Sequence, residues 1–170
     1  MEKNIIIKGK HNIEKINKIK DPYTKSFIEN PLKEEYYSNK YQLELINKMY
    51  LDTNDDFIKK LLITKLNGYK AQDIDKQKLE ENKLITLDEV IELLVTSKLK
   101  CTYCKENVLL CYKNVREKKQ WTLDRINNDF GHNKDNVLIS CLDCNLKRRC
   151  IDMKKYKQGK LLKNIIKKID

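Results

Sequence analysis

The sequence predicts an α+β protein: an N-terminal helical region followed by a small ββα module. Three observations carry this. Apolar residues recur at helical spacing through residues 34–98. The period then shortens to alternation at Trp121, Thr122, Leu123 and Asp124, as in a strand. Two Cys-x2-Cys pairs, Cys101/Cys104 and Cys141/Cys144, bracket the alternating stretch.

The helical region divides at its own signals. Tyr37, Tyr41, Leu45 and Met49 lie four apart, predicting an amphipathic helix over 34–51. Thr53-Asn54-Asp55-Asp56 is an N-terminal cap with acids suited to the helix dipole. Phe57, Ile58, Leu61, Leu62 and Leu66 follow, and Gly68 is expected to stop that helix. Thr86-x-x-Glu89 is a capping box opening a third helix, with Leu87, Val90, Ile91, Leu94 and Val95 on one face and an end near Lys98. Residues 1–33 read as a weakly structured arm, because Asp21-Pro22 and Asn30-Pro31 mark turns. The expected organisation is an arm over 1–33, a helical region over 34–98 and a cysteine-bearing domain over 99–170. Within that domain, residues 119–126 predict one strand, Asn127 to Asp135 a turn-rich loop, and Val137-Leu138-Ile139 a second strand. A helix over 143–157, closed by Gly159, completes the order.

Composition narrows the function classes. The 170 residues are 40% hydrophobic and 36% charged, enough for a modest core. No apolar run approaches the ~18 residues that cross a bilayer, which excludes a helical membrane span. The N-terminus lacks the h-region and cleavage site of a signal peptide, so the expected location is intracellular. In that setting the six cysteines read as metal ligands and free thiols rather than disulfides. Net charge is +11 and uneven: residues 101–170 hold 17 Lys+Arg against 8 Asp+Glu, the first 100 hold 19 against 17. A basic C-terminal half suits a polyanionic partner. A lysine-rich codon background explains part of the lysine, but less well its excess beside the cysteines.

Four thiolates in two knuckle-spaced pairs form a complete tetrahedral shell for structural zinc at Cys101, Cys104, Cys141 and Cys144. Such a shell leaves no open position for water, so its job is to hold a thin-cored module together. Cys111 and Cys150 lack partners at knuckle spacing and read as ordinary thiols, Cys150 as a packing residue on the last helix.

The stretch Cys-Thr-Tyr-Cys, then Trp-Thr-Leu-Asp-Arg-Ile-Asn-Asn-Asp-Phe-Gly-His-Asn-Lys-Asp-Asn-Val-Leu-Ile-Ser-Cys-Leu-Asp-Cys-Asn-Leu-Lys-Arg-Arg, resembles the HNH (ββα-metal, His-Me finger) endonucleases. It is most similar to their zinc-clamped branch and to HNH proteins of phages and large DNA viruses. The resemblance covers residues 101–149, under a third of the chain. It implies a phosphodiester hydrolase acting on DNA with Mg²⁺ or Mn²⁺ as the catalytic ion, a hard cation suited to oxygen ligands. Asp124 matches the family's strand carboxylate and Asn145 its helix ligand to that ion. Asn136 matches the middle Asn that holds the loop, where an ordinary Asx turn is the competing reading. The chain departs from the pattern at Arg125, which stands where the general-base histidine is expected. An arginine stays protonated and cannot take a proton from water.

Two consequences follow. Either His132, in the Gly-His-Asn loop, acts as the base, with Arg125 on a phosphate; or the chain is a catalytically inactive, HNH-derived zinc protein that binds DNA. A zinc-stabilised interaction module without DNA affinity is a third reading. Lys147, Arg148, Arg149, Lys154 and Lys155 open a run of ten Lys+Arg against two acids over 145–170, read as a phosphate-tracking surface or a solvated face. The helices over 34–98 are a scaffold, a target-recognition element or a homodimer contact.

Overall fold

A computed structural model describes residue 9, residues 32–51 and residues 55–166, with side chains described as far as residue 162. Almost all of the expected arm over 1–33, His11 included, lies outside the described residues.

A 3₁₀ turn, Glu34–Tyr37, precedes helix α1, Asn39–Tyr50. The single helix expected over 34–51 is interrupted at Ser38, whose backbone is extended (φ −74°, ψ 129°). Gln42, Leu45, Ile46 and Met49 form the buried stripe of α1. Helix α2, Asp56–Asp75, starts where the cap signal put it: the Asp55 carboxylate accepts from the Ile58 amide at 3.0 Å. Gly68 does not end it. A helical glycine costs only about 1 kcal/mol relative to alanine, and burial of the apolar bodies of Ile58, Leu62 and Tyr69 along the helix outweighs that. Helix α3, Leu87–Thr96, carries the predicted capping box: Glu89 N–H donates to Thr86 Oγ1 and Thr86 N–H to Glu89 Oε2. It buries Val90, Ile91 and Leu94.

Strands β1, Trp121–Arg125, and β2, Val137–Cys141, pair antiparallel, with Trp121 opposite Cys141 and Arg125 opposite Val137. The alternation in β1 does not mark a wet face. Trp121, Thr122, Leu123 and Asp124 are all buried, because other elements cover both sides of the strand. Thr122 meets the demand of burial by bonding Ser140, with 2.9 Å between the hydroxyls.

The helix expected over 143–157 is two helices, α4 (Leu142–Arg148) and α5 (Met153–Ile166). The break is at Arg149, at φ 52°, and Gly159 lies within α5 rather than closing it. Arg148 supplies the reason: its guanidinium donates to the Ile151 carbonyl at 2.8 Å and turns back toward β1.

One hydrophobic core joins the helices to the cysteine-bearing part, running from Leu45, Ile46, Ile58 and Leu94 to Tyr103, Trp121, Leu123 and Ile139. Gln42, fully buried, ties the two ends of it. Its side chain donates to the Cys111 and Tyr36 carbonyls at 3.1 and 2.7 Å and accepts from Leu110 N–H at 2.7 Å. No helix among the described residues is long and apolar enough to cross a membrane.

Candidate metal centre and cleft

The two knuckles meet because the sheet brings them together. Thr102 donates through both its amide and its hydroxyl to the Ile139 carbonyl, at 2.9 and 2.8 Å, which fixes the first knuckle on β2. Cys141 ends β2 and caps α4, its sulfur accepting from Cys144 N–H. The four sulfurs lie within 4.8 Å of one another, so Cys101, Cys104, Cys141 and Cys144 can hold a metal ion such as zinc. Among the described residues they are the one group of three or more His, Cys, Asp or Glu side chains so gathered. Hydrogen bonds with Cys141 and Cys144 pull the Cys101 thiol pKa down, and hydrogen bonds with Cys101 and Cys144 push that of Cys141 up. Cys111 stands apart, buried, with a thiol pKa raised to about 12 by that burial. Cys150 is exposed beyond the end of α4, so the packing role expected for it is not seen.

A cleft of about 790 Å³ opens between α2, β1 and α4. It brings together Asp124, Arg125, His132, Asn145, Arg148 and Arg149 from the sequence reading, with Lys65, Tyr69, Lys76 and Lys78 from α2 and the turn after it.

Asp124 is only 3% exposed. Arg148, itself 2% exposed, grips both its oxygens: Nε to Oδ2 and Nη2 to Oδ1, each at 2.7 Å. The Tyr103 hydroxyl donates to Oδ2 at 2.5 Å. Burial, then the adjoining Asp124, raise the Tyr103 pKa, so it remains a donor. Asn145 donates its amide to Thr122 Oγ1 at 3.1 Å and more weakly to the Leu123 carbonyl at 3.4 Å, so it is anchored one residue from Asp124. The fit of this pair to a divalent cation fails on the carboxylate. A guanidinium already sits on both oxygens, and an ion reaches Asp124 only by displacing it. Arg148, expected on the phosphate-tracking surface, is therefore an internal partner, whereas Lys147, Arg149, Lys154 and Lys155 are exposed, Lys147 in a 2.7 Å pair with Asp143.

Arg125, at the end of β1, is half-buried and reaches the Phe130 carbonyl at 3.3 Å. Asn136 closes the loop between the strands. Its Oδ1 accepts from Asn127 N–H at 2.9 Å, and its amide donates to the Asn127 and Gly131 carbonyls at 2.8 and 2.9 Å. His132 is buried against Asp73 of α2: Nδ1 lies 2.8 Å from Oδ1, and the His132 backbone N–H donates to Oδ2 at 2.6 Å. Burial lowers the His132 pKa below its usual 6.5, partly offset by Asp73.

Sequence reasoning missed Asp73, Tyr103 and Lys65. Asp73 carried one signal, a carboxylate on the apolar stripe four residues after Tyr69. Tyr103 lies within the first knuckle and carried none. Lys65 donates to Gln120 Oε1 at 3.1 Å and to the Trp121 carbonyl, with its ammonium 4.7 Å from the Trp121 ring centroid; burial lowers its pKa to about 7. No family model, no curated protein and no solved structure matches the chain.

Proposed function

We propose that the protein is a DNA endonuclease of the HNH type, hydrolysing phosphodiester bonds in the cleft between α2, β1 and α4, with structural zinc in the four-cysteine clamp. The observation that carries the reading is the convergence of Asp124, Arg125, His132 and Asn145 on one cleft rimmed by Lys76, Lys78 and Arg149. His132 is the general base: its pKa below 6.5 keeps the ring neutral near pH 7. Arg125 and the lysines of the rim bind the phosphate and offset charge as it builds in the transition state. The HNH resemblance implies Mg²⁺ or Mn²⁺ on Asp124 and Asn145. Because Arg148 holds that carboxylate, the steps assigned here run through the side chains alone.

A second reading, a DNA-binding protein on an inactivated HNH scaffold, is favoured by the same Asp124–Arg148 pair and by Arg125 in place of the family histidine. One experiment separates them: supercoiled plasmid with purified protein and Mg²⁺ or Mn²⁺, beside Asp124→Ala and His132→Ala, followed by a mobility-shift titration over salt. Cleavage by the wild type that is lost in His132→Ala supports the nuclease. Salt-sensitive binding without cleavage supports the second reading, and absence of both removes each.

A further inference from the structure

The HNH-like stretch does not contain everything that touches His132. Asp73, on α2, is 59 residues away in sequence and fully buried. A carboxylate out of water must be compensated by donors, and both side-chain oxygens of Asp73 serve the same residue, Oδ2 its backbone amide and Oδ1 its ring. The close approach needs the residue before the histidine to lack a side chain. A Cβ on Gly131 would stand 2.5 Å from the Lys78 carbonyl and 2.8 Å from Asp73 Oδ2. Tyr69 packs its ring 4.5 Å from the imidazole while its hydroxyl accepts from Leu123 N–H, so one helix turn locks the ring against β1. A carboxylate accepts only, which assigns the proton to Nδ1 and leaves the lone pair on Nε2.

We propose that Asp73 is the positioning residue of the His132 base, a helix-borne carboxylate that fixes the imidazole's tautomer so that Nε2 takes a proton from water in the cleft. This rests on the nuclease reading above. The water oxygen bonds to phosphorus as its proton passes to Nε2; the P–O bond to the leaving sugar oxygen breaks, and that oxygen takes a proton from solvent. The charged and titratable groups facing the ring are Asp73 and Tyr69 from α2, Lys76 just past its end and Arg125 from β1. Of these Asp73 raises the ring's pKa, and Arg125 and Lys76 lower it.

The test is the pH profile of plasmid cleavage for wild type and Asp73→Asn, with ¹⁵N NMR of the His132 ring in both. The base works when neutral, so cleavage rises with pH through the ring's pKa. Removing Asp73 lowers that pKa, moves the acid limb to lower pH, and cuts kcat by about 100-fold or more while KM for DNA stays within about twofold. The ring should change from mainly Nδ1–H to mainly Nε2–H, and Asp73→Glu should recover part of the rate. Wild-type activity with Asp73→Asn unchanged in rate and acid limb overturns the inference and leaves the nuclease standing. An inactive wild type removes the base role together with the nuclease. If Asp73→Asn does not fold, the wild-type ring decides: Nε2–H as its main form overturns the inference.

Discussion

Arg148→Met is the most informative perturbation of the cleft. Methionine keeps much of the apolar stem and removes the guanidinium. Lost with it are the two 2.7 Å bonds to Asp124, a 2.6 Å bond to the Arg125 carbonyl and the 2.8 Å bond to Ile151. Asp124 is left buried with the Tyr103 hydroxyl as its remaining donor. Deleting one partner of a buried ion pair costs about 3–5 kcal/mol. The cleft admits water to part of the wound, so we expect roughly 3–4 kcal/mol. At about 2–4 °C per kcal/mol for a chain of this size, Tm falls by roughly 6–16 °C. Urea unfolding followed by the fluorescence of Trp121, the sole tryptophan, reads the loss directly. Asp124→Asn combined with Arg148→Met should recover part of it, with a coupling of about 1–3 kcal/mol. The same variant bears on the metal. With the guanidinium gone, Mg²⁺ at about ten times its dissociation constant should stabilise the variant by roughly 1.4 kcal/mol and the wild type much less. A loss below about 1 kcal/mol would refute the buried pair as described. Equal stabilisation by Mg²⁺ in both proteins would refute the claim that Arg148 closes Asp124 to cations.

Three further outcomes are expected. Purified protein should contain one zinc per chain by elemental analysis, and a strong chelator, or Cys104→Ala, should release it and lower the thermal midpoint by 10 °C or more, roughly, since folding free energy is stored in such sites. Gly131→Ala should cost about 1–3 kcal/mol by urea unfolding, because its new methyl meets a backbone carbonyl at 2.5 Å; a neutral result would mean the loop is not pressed against α2. Asn136→Ala removes three hydrogen bonds and should cost roughly 1–3 kcal/mol, with faster amide exchange confined to residues 127–131.

Much of the local architecture was legible because its signals are short-range. Asp55 and the Thr86–Glu89 box cap helices within three residues of themselves. The cysteine spacing foretold a cluster that the β1–β2 register closes, and Asn136 ties its loop within nine residues. What was misread depends on distant partners. Gly68 and Gly159 looked like stops because glycine is a poor helix former, yet packing and position carry both helices through them. The break at Arg149 follows from where the guanidinium of Arg148 goes, which no propensity records. The alternation of Trp121 and Leu123 with Thr122 and Asp124 marked the strand but not its burial, since nothing in eight residues tells that a strand will be covered on both faces. Asp73 and His132 meet across 59 residues, beyond any window of pattern reading.

The amide of Gln42 reaches from the first helix into the chain just ahead of the hairpin, and this limits how the protein can be divided. Severing the cysteine-rich half as a transplantable cassette would orphan the Leu110 amide and the Cys111 carbonyl and strip one wall from the histidine pocket. Swaps that respect this chain's anatomy must carry the leading helices along with their cargo, or rebuild those contacts in the host.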